Sequence, residues 1–258
     1  MTPEGEFAEI AGMGGRAAVV TVVEGEGLGS KLLVREDGSQ SGGLGSPEWD
    51  ATAADAAREL MWAERSELRE AGEVTLFVDA TYPPPRLIVF GAVDYTAALC
   101  RLASAVGWRA YVCDPRSQFA THERFPDAEK VVAAWPEDAF QMVGGIDRAT
   151  YVAVLTHDPK LDDAALTIAL PSDAAYVGAM GSSRAQAKRR ERLLAAGMDE
   201  VLLERLAAPI GLDLGAVGPE ETALSIMAEV VAVRNGRSGG RLRDKQGGRI
   251  HEITGEHA

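Results

Sequence analysis

From Arg86 to Arg234 the chain alternates short apolar, β-branched runs with helical stretches, and that order leaves essentially one class of fold open. The strand-like runs are residues 86–90, 109–113, 130–133, 151–155 and 175–180. The helical patterns cover 95–106, 162–169, 183–196 and 219–234. When strands alternate with helices, each helix carries the chain back along the sheet. The strands are then parallel and both faces of the sheet are covered. The expectation is an α/β fold whose C-terminal part is a Rossmann-like parallel sheet with helices on both faces. The last helix is the most sharply punctuated, with Pro219 at its first position, Glu220 and Glu221 in its first turn and Arg234-Asn235-Gly236 at its end. Its apolar residues run round the whole axis, which predicts burial on every side.

Ahead of this region stands Tyr82-Pro83-Pro84-Pro85. Three successive prolines continue neither a helix nor an interior strand, so a domain boundary is expected here. Residues 1–82 read as a small α+β domain, 86–236 as the Rossmann-like domain and 237–258 as a Gly- and Arg-rich, loosely structured tail. Within the first part, 16–23 and 30–35 are strand-like, 36–39 is a turn and Ser41-Gly42-Gly43-Leu44-Gly45 a glycine-rich loop. A helix capped by Asp50 or Thr52 is expected to run through Arg69, and 73–79 closes the unit as a strand.

Composition narrows the partners. The 258 residues carry 26 basic and 39 acidic side chains, a net charge of −13. A field of that sign repels phosphate backbones and no basic block interrupts it, so nucleic acid is not expected as a partner. The two cysteines, Cys100 and Cys113, stand in apolar contexts and form no CxxC pair, so neither a disulfide framework nor a zinc ribbon is predicted. No apolar run is long enough to span a bilayer, and the acidic start Met1-Thr2-Pro3-Glu4 is unlike a signal peptide. A cytoplasmic protein is expected, without membrane contact.

In an open parallel sheet, ligands gather beyond the carboxyl ends of the strands, so the loops there hold the candidates. The first is Phe90-Gly91-Ala92-Val93-Asp94. A dinucleotide fingerprint wants a second glycine where Val93 stands, and Asp94 would meet a phosphate with like charge. Gly91 and Ala92 therefore either approach a modified ligand or simply turn the chain, with Asp94 capping the next helix. The second loop places Asp114 where a Rossmann fold bonds a ribose hydroxyl, and Arg116 beside it pairs either a phosphate or Asp114 itself. In the third, Thr156-His157-Asp158, His157 is either a proton-transferring or ligand-contacting group, or incidental to a capping Asp158. The fourth, Gly178-Ala179-Met180-Gly181-Ser182-Ser183-Arg184, has the composition of an anion nest opening a helix. On that helix Arg184, Lys188 and Arg192 share one face, which is either a docking stripe or a solvated surface. The fifth, Pro209-Ile210-Gly211-Leu212-Asp213, adds Gly211 and Asp213. No catalytic residue and no metal ligand is assigned.

Thr156-His157-Asp158, Tyr176-Val177-Gly178-Ala179-Met180-Gly181-Ser182 and Ala208-Pro209-Ile210-Gly211-Leu212-Asp213-Leu214-Gly215-Ala216 resemble the xanthine dehydrogenase accessory factor (XdhC/CoxI) family. The likeness extends to Phe119-Ala120-Thr121, Arg124-Phe125-Pro126-Asp127-Ala128, Gly239-Gly240-Arg241-Leu242 and Ile250-His251, and more weakly to Ser41-Gly42-Gly43 in the first domain. It implies an accessory protein for a molybdenum hydroxylase. Such proteins bind molybdenum cofactor, as the pterin phosphate or its dinucleotide, shelter it while a cysteine desulfurase exchanges an oxo ligand for sulfur, and deliver it to the apoenzyme. A homodimer is expected. Two departures mark a divergent member. Family proteins resemble Ser-Gly-Gly-Cys-Val-Glu where this chain has Leu44, and Gly-Ala-Gly-His where it has Val93 and Asp94. The rival readings are an NAD(P)-dependent oxidoreductase, which Val93 and Asp94 oppose, and an interaction module that holds no cofactor.

Overall fold

The computed structural model describes residues 1–244. The chain divides into two compact units, Met1–Pro84 and a second beginning at Pro85. Ile250 and His251, and most of the expected loose tail, lie outside the described residues. Residues Leu242–Asp244 form a single 3₁₀ turn.

The first unit runs α1 (Pro3–Gly12), β1 (Ala17–Glu24), β2 (Lys31–Arg35), β3 (Gln40–Gly43), α2 (Pro47–Trp62), β4 (Glu67–Ala71) and β5 (Val74–Thr81). Its strands form an antiparallel sheet in the order β3-β2-β1-β5-β4. Alternation along β1 sends Ala18, Val20 and Val22 into the core under α2, whereas Ala17 and Val19 meet Phe7 and Ile10 of α1 on the other face. Buried Arg16 donates to the Met61 carbonyl in the last turn of α2 and lies 4.2 Å from the Trp62 ring centroid, fastening the helix end to the sheet.

Three expectations are corrected here. The helix does not run through Arg69, because Glu64 takes a left-handed φ of 52° and the chain turns back. Residues Glu67–Ala71 then pair with β5 as an edge strand, whose charged side chains suit an unpaired edge. The cap of α2 is Ser46, whose side chain accepts the Glu48 N–H, while Asp50 instead accepts the Leu44 N–H at 2.7 Å. The glycine-rich segment is the other edge strand, β3. Leu44, where the resemblance leads one to expect a cysteine, is completely buried in the core beneath α2.

The second unit contains β6 (Arg86–Phe90), α3 (Asp94–Ala105), β7 (Arg109–Cys113), β8 (Lys130–Val132), α4 (Pro136–Met142), β9 (Thr150–Val154), α5 (Pro159–Ala169), β10 (Tyr176–Ala179), α6 (Ser183–Ala195), α7 (Glu200–Leu203), β11 (Leu206–Ala207) and α8 (Pro219–Arg234). All five strand pairings are parallel, and the order is β11-β10-β9-β6-β7-β8, the doubly wound arrangement expected of a Rossmann sheet. One core, around Leu87, Val89, Val112 and Ile226, packs α3 and α8. A second, around Ile88, Phe90, Val152 and Leu166, packs α4, α5 and α6. Helix α8 is not buried all round. Ala223, Ile226, Met227 and Val230 face the core while Leu224 and Val233 are exposed, because a helix lying on one face of a sheet has only one covered side. Among the described residues no helix is long and apolar enough to cross a membrane.

Candidate functional site

The sheet order reverses between β6 and β9, and beyond the carboxyl ends of strands at such a switch point an open parallel sheet takes its ligands. Gly91 stands at φ +118°, and a Cβ on it would lie 2.8 Å from Thr156 Cγ2 and 3.2 Å from the Thr156 backbone nitrogen. The glycine therefore lets the two loops close on each other. Its N–H donates to the Cys113 carbonyl at 3.0 Å, and the Ala92 N–H donates to Asp114 Oδ2 at 2.8 Å. Both amides are thus used inside the protein. Asp94 does not cap α3: the N-cap is Val93, which has no side-chain hydrogen bond to offer, and Asp94 is the first helical residue. By contrast, Asp158 caps α5 and Ser182 caps α6. The first-turn N–H groups of α3 thus lack the side-chain acceptor that those of α5 and α6 possess, and the Thr96 N–H donates instead to the Val93 carbonyl at 3.0 Å. Asp94 points into solvent with Arg124 3.5 Å away, so its negative charge is partly offset.

On the β7 side, Asp114 is completely buried. Its Oδ1 accepts from the Arg116 N–H and Nε, each at 2.9 Å, and its Oδ2 from Ala92 N–H at 2.8 Å and an Arg116 guanidinium nitrogen at 2.6 Å. Burial alone would push the carboxyl up. The Arg116 side-chain bonds, followed by the two backbone donors, outweigh it and hold the group below the usual carboxylate range. A carboxylate whose folded value is depressed contributes stability above its unfolded value and loses that contribution as pH falls through the folded one. Urea denaturation of wild type and Asp114→Asn should therefore show a stability gap at pH 7 that closes toward pH 3. A gap independent of pH would count against the charge-based account. With four donors engaged, Asp114 braces the loop and is not available to a ribose hydroxyl.

On the β9 side, His157 is exposed. Beneath it lies a buried network that periodicity does not reveal. Thr156 Oγ1 donates to Asp162 and accepts the Asp158 N–H at 3.1 Å. Arg189 donates to Asp162 Oδ2 at 2.7 Å and to the Met180 carbonyl at 3.1 Å. Gln186 accepts from Arg189 and donates to the Ala179 and Gly181 carbonyls at 3.2 and 3.3 Å. The loops that follow β9 and β10 are thereby tied to one ion pair. Gly181 has φ +136° and Ser182 accepts the Ala185 N–H at 3.3 Å, which takes up one of the first-turn amides of α6. Arg184 and Lys188 are exposed, whereas Arg192 is bonded to Asp163 at 2.6 and 2.8 Å, so the expected basic stripe shrinks to two residues.

Gly178 is not in the loop at all. It lies within β10, where a Cβ would come within 2.6 Å of Ile210, so its smallness serves packing. Gly211, at φ +102°, donates its N–H to Glu229 at 2.8 Å, and Glu229 also accepts the Tyr176 hydroxyl. Burial, then the hydrogen bond to Glu229, pushes the Tyr176 phenol far up, so it stays protonated. Asp213 is exposed. The structure thus groups Gly91, Ala92, Asp114 and Arg116 on one side of the switch point and places His157 on the other. It ties Gly181 and Ser182 through Arg189 to the His157 loop, and leaves Gly178 and Gly211 to packing. Among the described residues, no group of three or more His, Cys, Asp or Glu could hold a metal ion.

Residues 87–230 match the XdhC Rossmann domain, and residues 11–72 match the XdhC and CoxI family. The chain is 33% identical to a probable xanthine dehydrogenase subunit from Bacillus subtilis (strain 168), over 62% of its own length and 46% of that protein's. It is 29% identical to the molybdenum cofactor insertion chaperone PaoD of Escherichia coli (strain K12), over 88% of its length and 87% of that protein's. The crystal structure of a xanthine dehydrogenase from Bacillus halodurans superposes with a TM-score of 0.64 at 26% identity, covering 88% of this chain and 65% of that one. The chain thus spans less than half the Bacillus subtilis relative and nearly all of the insertion chaperone.

Proposed function

The chain belongs to the XdhC and CoxI family, and on that premise we propose that it is a maturation factor for a molybdenum hydroxylase. In this role it binds molybdenum cofactor at the switch-point crevice and delivers it to the apoenzyme, with no turnover chemistry of its own. The observation that carries this reading is the α3 terminus. Its first-turn amides lack a side-chain cap and stand beside Arg124, while the acid that would take a ribose in a nicotinamide enzyme is saturated by its own neighbours. A phosphate fits the first feature, and the second disfavours the oxidoreductase alternative. Leu44 is core, so the cofactor is held through its phosphate and ring system rather than by a thiolate at that position. His157 is exposed on the β9 loop, across the switch point from α3. The working state is a cytoplasmic homodimer that shelters the cofactor while a cysteine desulfurase supplies the terminal sulfur.

The α6 end carries the handover to the target enzyme. Arg184 is exposed and makes no ion pair among the described residues, whereas Arg190 pairs with Glu200. In a pull-down with a molybdenum hydroxylase apoenzyme at two salt concentrations, Arg184→Ala should weaken capture several-fold at low salt and Arg190→Ala should not. Equal behaviour would reduce the stripe to a solvated face. The cofactor reading itself is tested by incubating the protein with molybdenum cofactor and measuring retained molybdenum after gel filtration. Near-equimolar metal is expected, and none would overturn the function.

A further inference from the structure

Residues 114–129 join β7 to β8 without forming a helix or a strand of their own. A structureless connection of that length inside a compact domain usually has a task. This one is held in shape by its own backbone. The Phe119 and Ala120 N–H groups donate to the Arg116 carbonyl at 2.9 and 3.1 Å, and the Arg124 N–H to the Thr121 carbonyl at 3.1 Å. Phe125 and Ala128 are buried in the core that packs α3 and α8, which fastens the far half of the connection to the domain. Arg124, beside that anchor, reaches back across the surface. Its Nη1 donates to the Ala92 carbonyl at 3.1 Å and to the Phe119 carbonyl at 3.2 Å, while Phe125 and Phe119 flank the guanidinium at 5.3 and 5.7 Å.

Ala92 lies in the turn from β6 into α3. Its N–H is taken by Asp114, and the Gly91 carbonyl before it accepts the Thr96 hydroxyl at 2.5 Å. Among the described residues no donor other than Arg124 reaches the Ala92 carbonyl, and Val93, the N-cap, offers no side chain in its place. We infer that Arg124 is a positioning residue for the switch point: from the long connection after β7 it holds the Ala92 carbonyl and so fixes the β6–α3 turn beside which the cargo is retained. A guanidinium suits this work. It bonds two carbonyls from one rigid plane with rings against its faces, whereas a lysine ammonium is a point charge on a flexible stem. Charge is the lesser part, since the Asp94 side chain, 3.5 Å away, is 87% exposed and an ion pair in water contributes little. The inference rests on the cofactor-carrier reading, to which it adds a residue from outside the strand-end loops.

The test compares the full chain with Arg124→Lys and with the double variant Arg124→Gln, Asp94→Asn. Both leave the net charge of the pair unchanged, so a loss that they share belongs to the missing fork. Amide hydrogen exchange, read by mass spectrometry, is expected to quicken about 10-fold over residues 91–97 in each variant, the scale of one lost hydrogen bond. Exchange over residues 150–155 of β9 should stay at the wild-type rate, which separates a freed turn from a weakened domain. Molybdenum retained after gel filtration with molybdenum cofactor should fall several-fold in both. Wild-type exchange in either variant, quickening spread equally over β9, or full retention despite a freed turn would overturn the inference. Absence of retained molybdenum in the wild type itself removes the carrier function, and the exchange rates then still decide whether Arg124 holds the turn.

Discussion

Arg189→Met is expected to lower stability by about 3–5 kcal/mol, seen as a large drop in the urea midpoint. The Arg189 and Asp162 side chains are 4% and 3% exposed, and among the described residues Arg189, at 2.7 Å, is the one cation paired with Asp162. Removing the arginine leaves a buried carboxylate with the Thr156 hydroxyl alone, and an uncompensated buried charge is far more costly than the pair was favourable. The double variant Asp162→Leu, Arg189→Met should recover most of the loss, since replacing both partners of a buried pair by apolar groups is often close to neutral. A single variant within about 1 kcal/mol of wild type would show that the pair is solvated in solution. Molybdenum retention should stay weakened in the double variant too, because the loops after β9 and β10 lose the network that joins them even when stability is restored.

Gly91→Ala is expected to cost about 2–4 kcal/mol, combining a left-handed backbone with a steric clash against a neighbouring strand end. At φ +118° the added methyl would stand 2.8 Å from Thr156 Cγ2 and 3.2 Å from the Thr156 nitrogen. A side chain can rotate away, but the backbone nitrogen sits in the segment leaving β9 and cannot. Relief requires the β6 and β9 loops to separate, which spreads the crevice and should remove molybdenum retention. Gly215→Ala is the control: it also has a positive φ, 69°, but meets nothing within 4 Å, so about 1 kcal/mol is expected with retention intact. If the two substitutions cost the same, the close approach of the loops is not what requires Gly91.

Several elements were legible because their signals are local. The strands β6, β7 and β9 are runs of β-branched and apolar residues whose burial on both faces leaves nothing to alternate, and α8 announces itself with Pro219 and its acidic first turn. Helix α1 had the same kind of signal in Thr2-Pro3-Glu4, a cap followed by proline and acid, although an acidic start suggests only a solvated end. The edge strands β3 and β4 were not legible. Gly42 and Gly43 look like a loop, and Glu67, Arg69 and Glu70 extend a helical pattern, because an edge strand is specified by its partner and not by its own composition.

The Rossmann-like parallel sheet was readable from local pattern alone, and with it the placing of Gly91, Asp114, His157 and Gly181 near the carboxyl ends of their strands. Periodicity and chain breakers act over a few residues, and parallel βα order admits little else. Which of those residues are engaged by their own neighbours follows only from the tertiary contacts. Asp114 and Arg116 carry the composition of a nucleotide contact, yet they satisfy each other and brace Ala92. Arg189, which no sequence pattern sets apart from its basic neighbours, is buried against Asp162, 27 residues away. A charge or a ring has no preferred partner in an isolated pattern. Partnership depends on which loops the strand order brings within hydrogen-bonding distance, and those contacts form only once the sheet has closed.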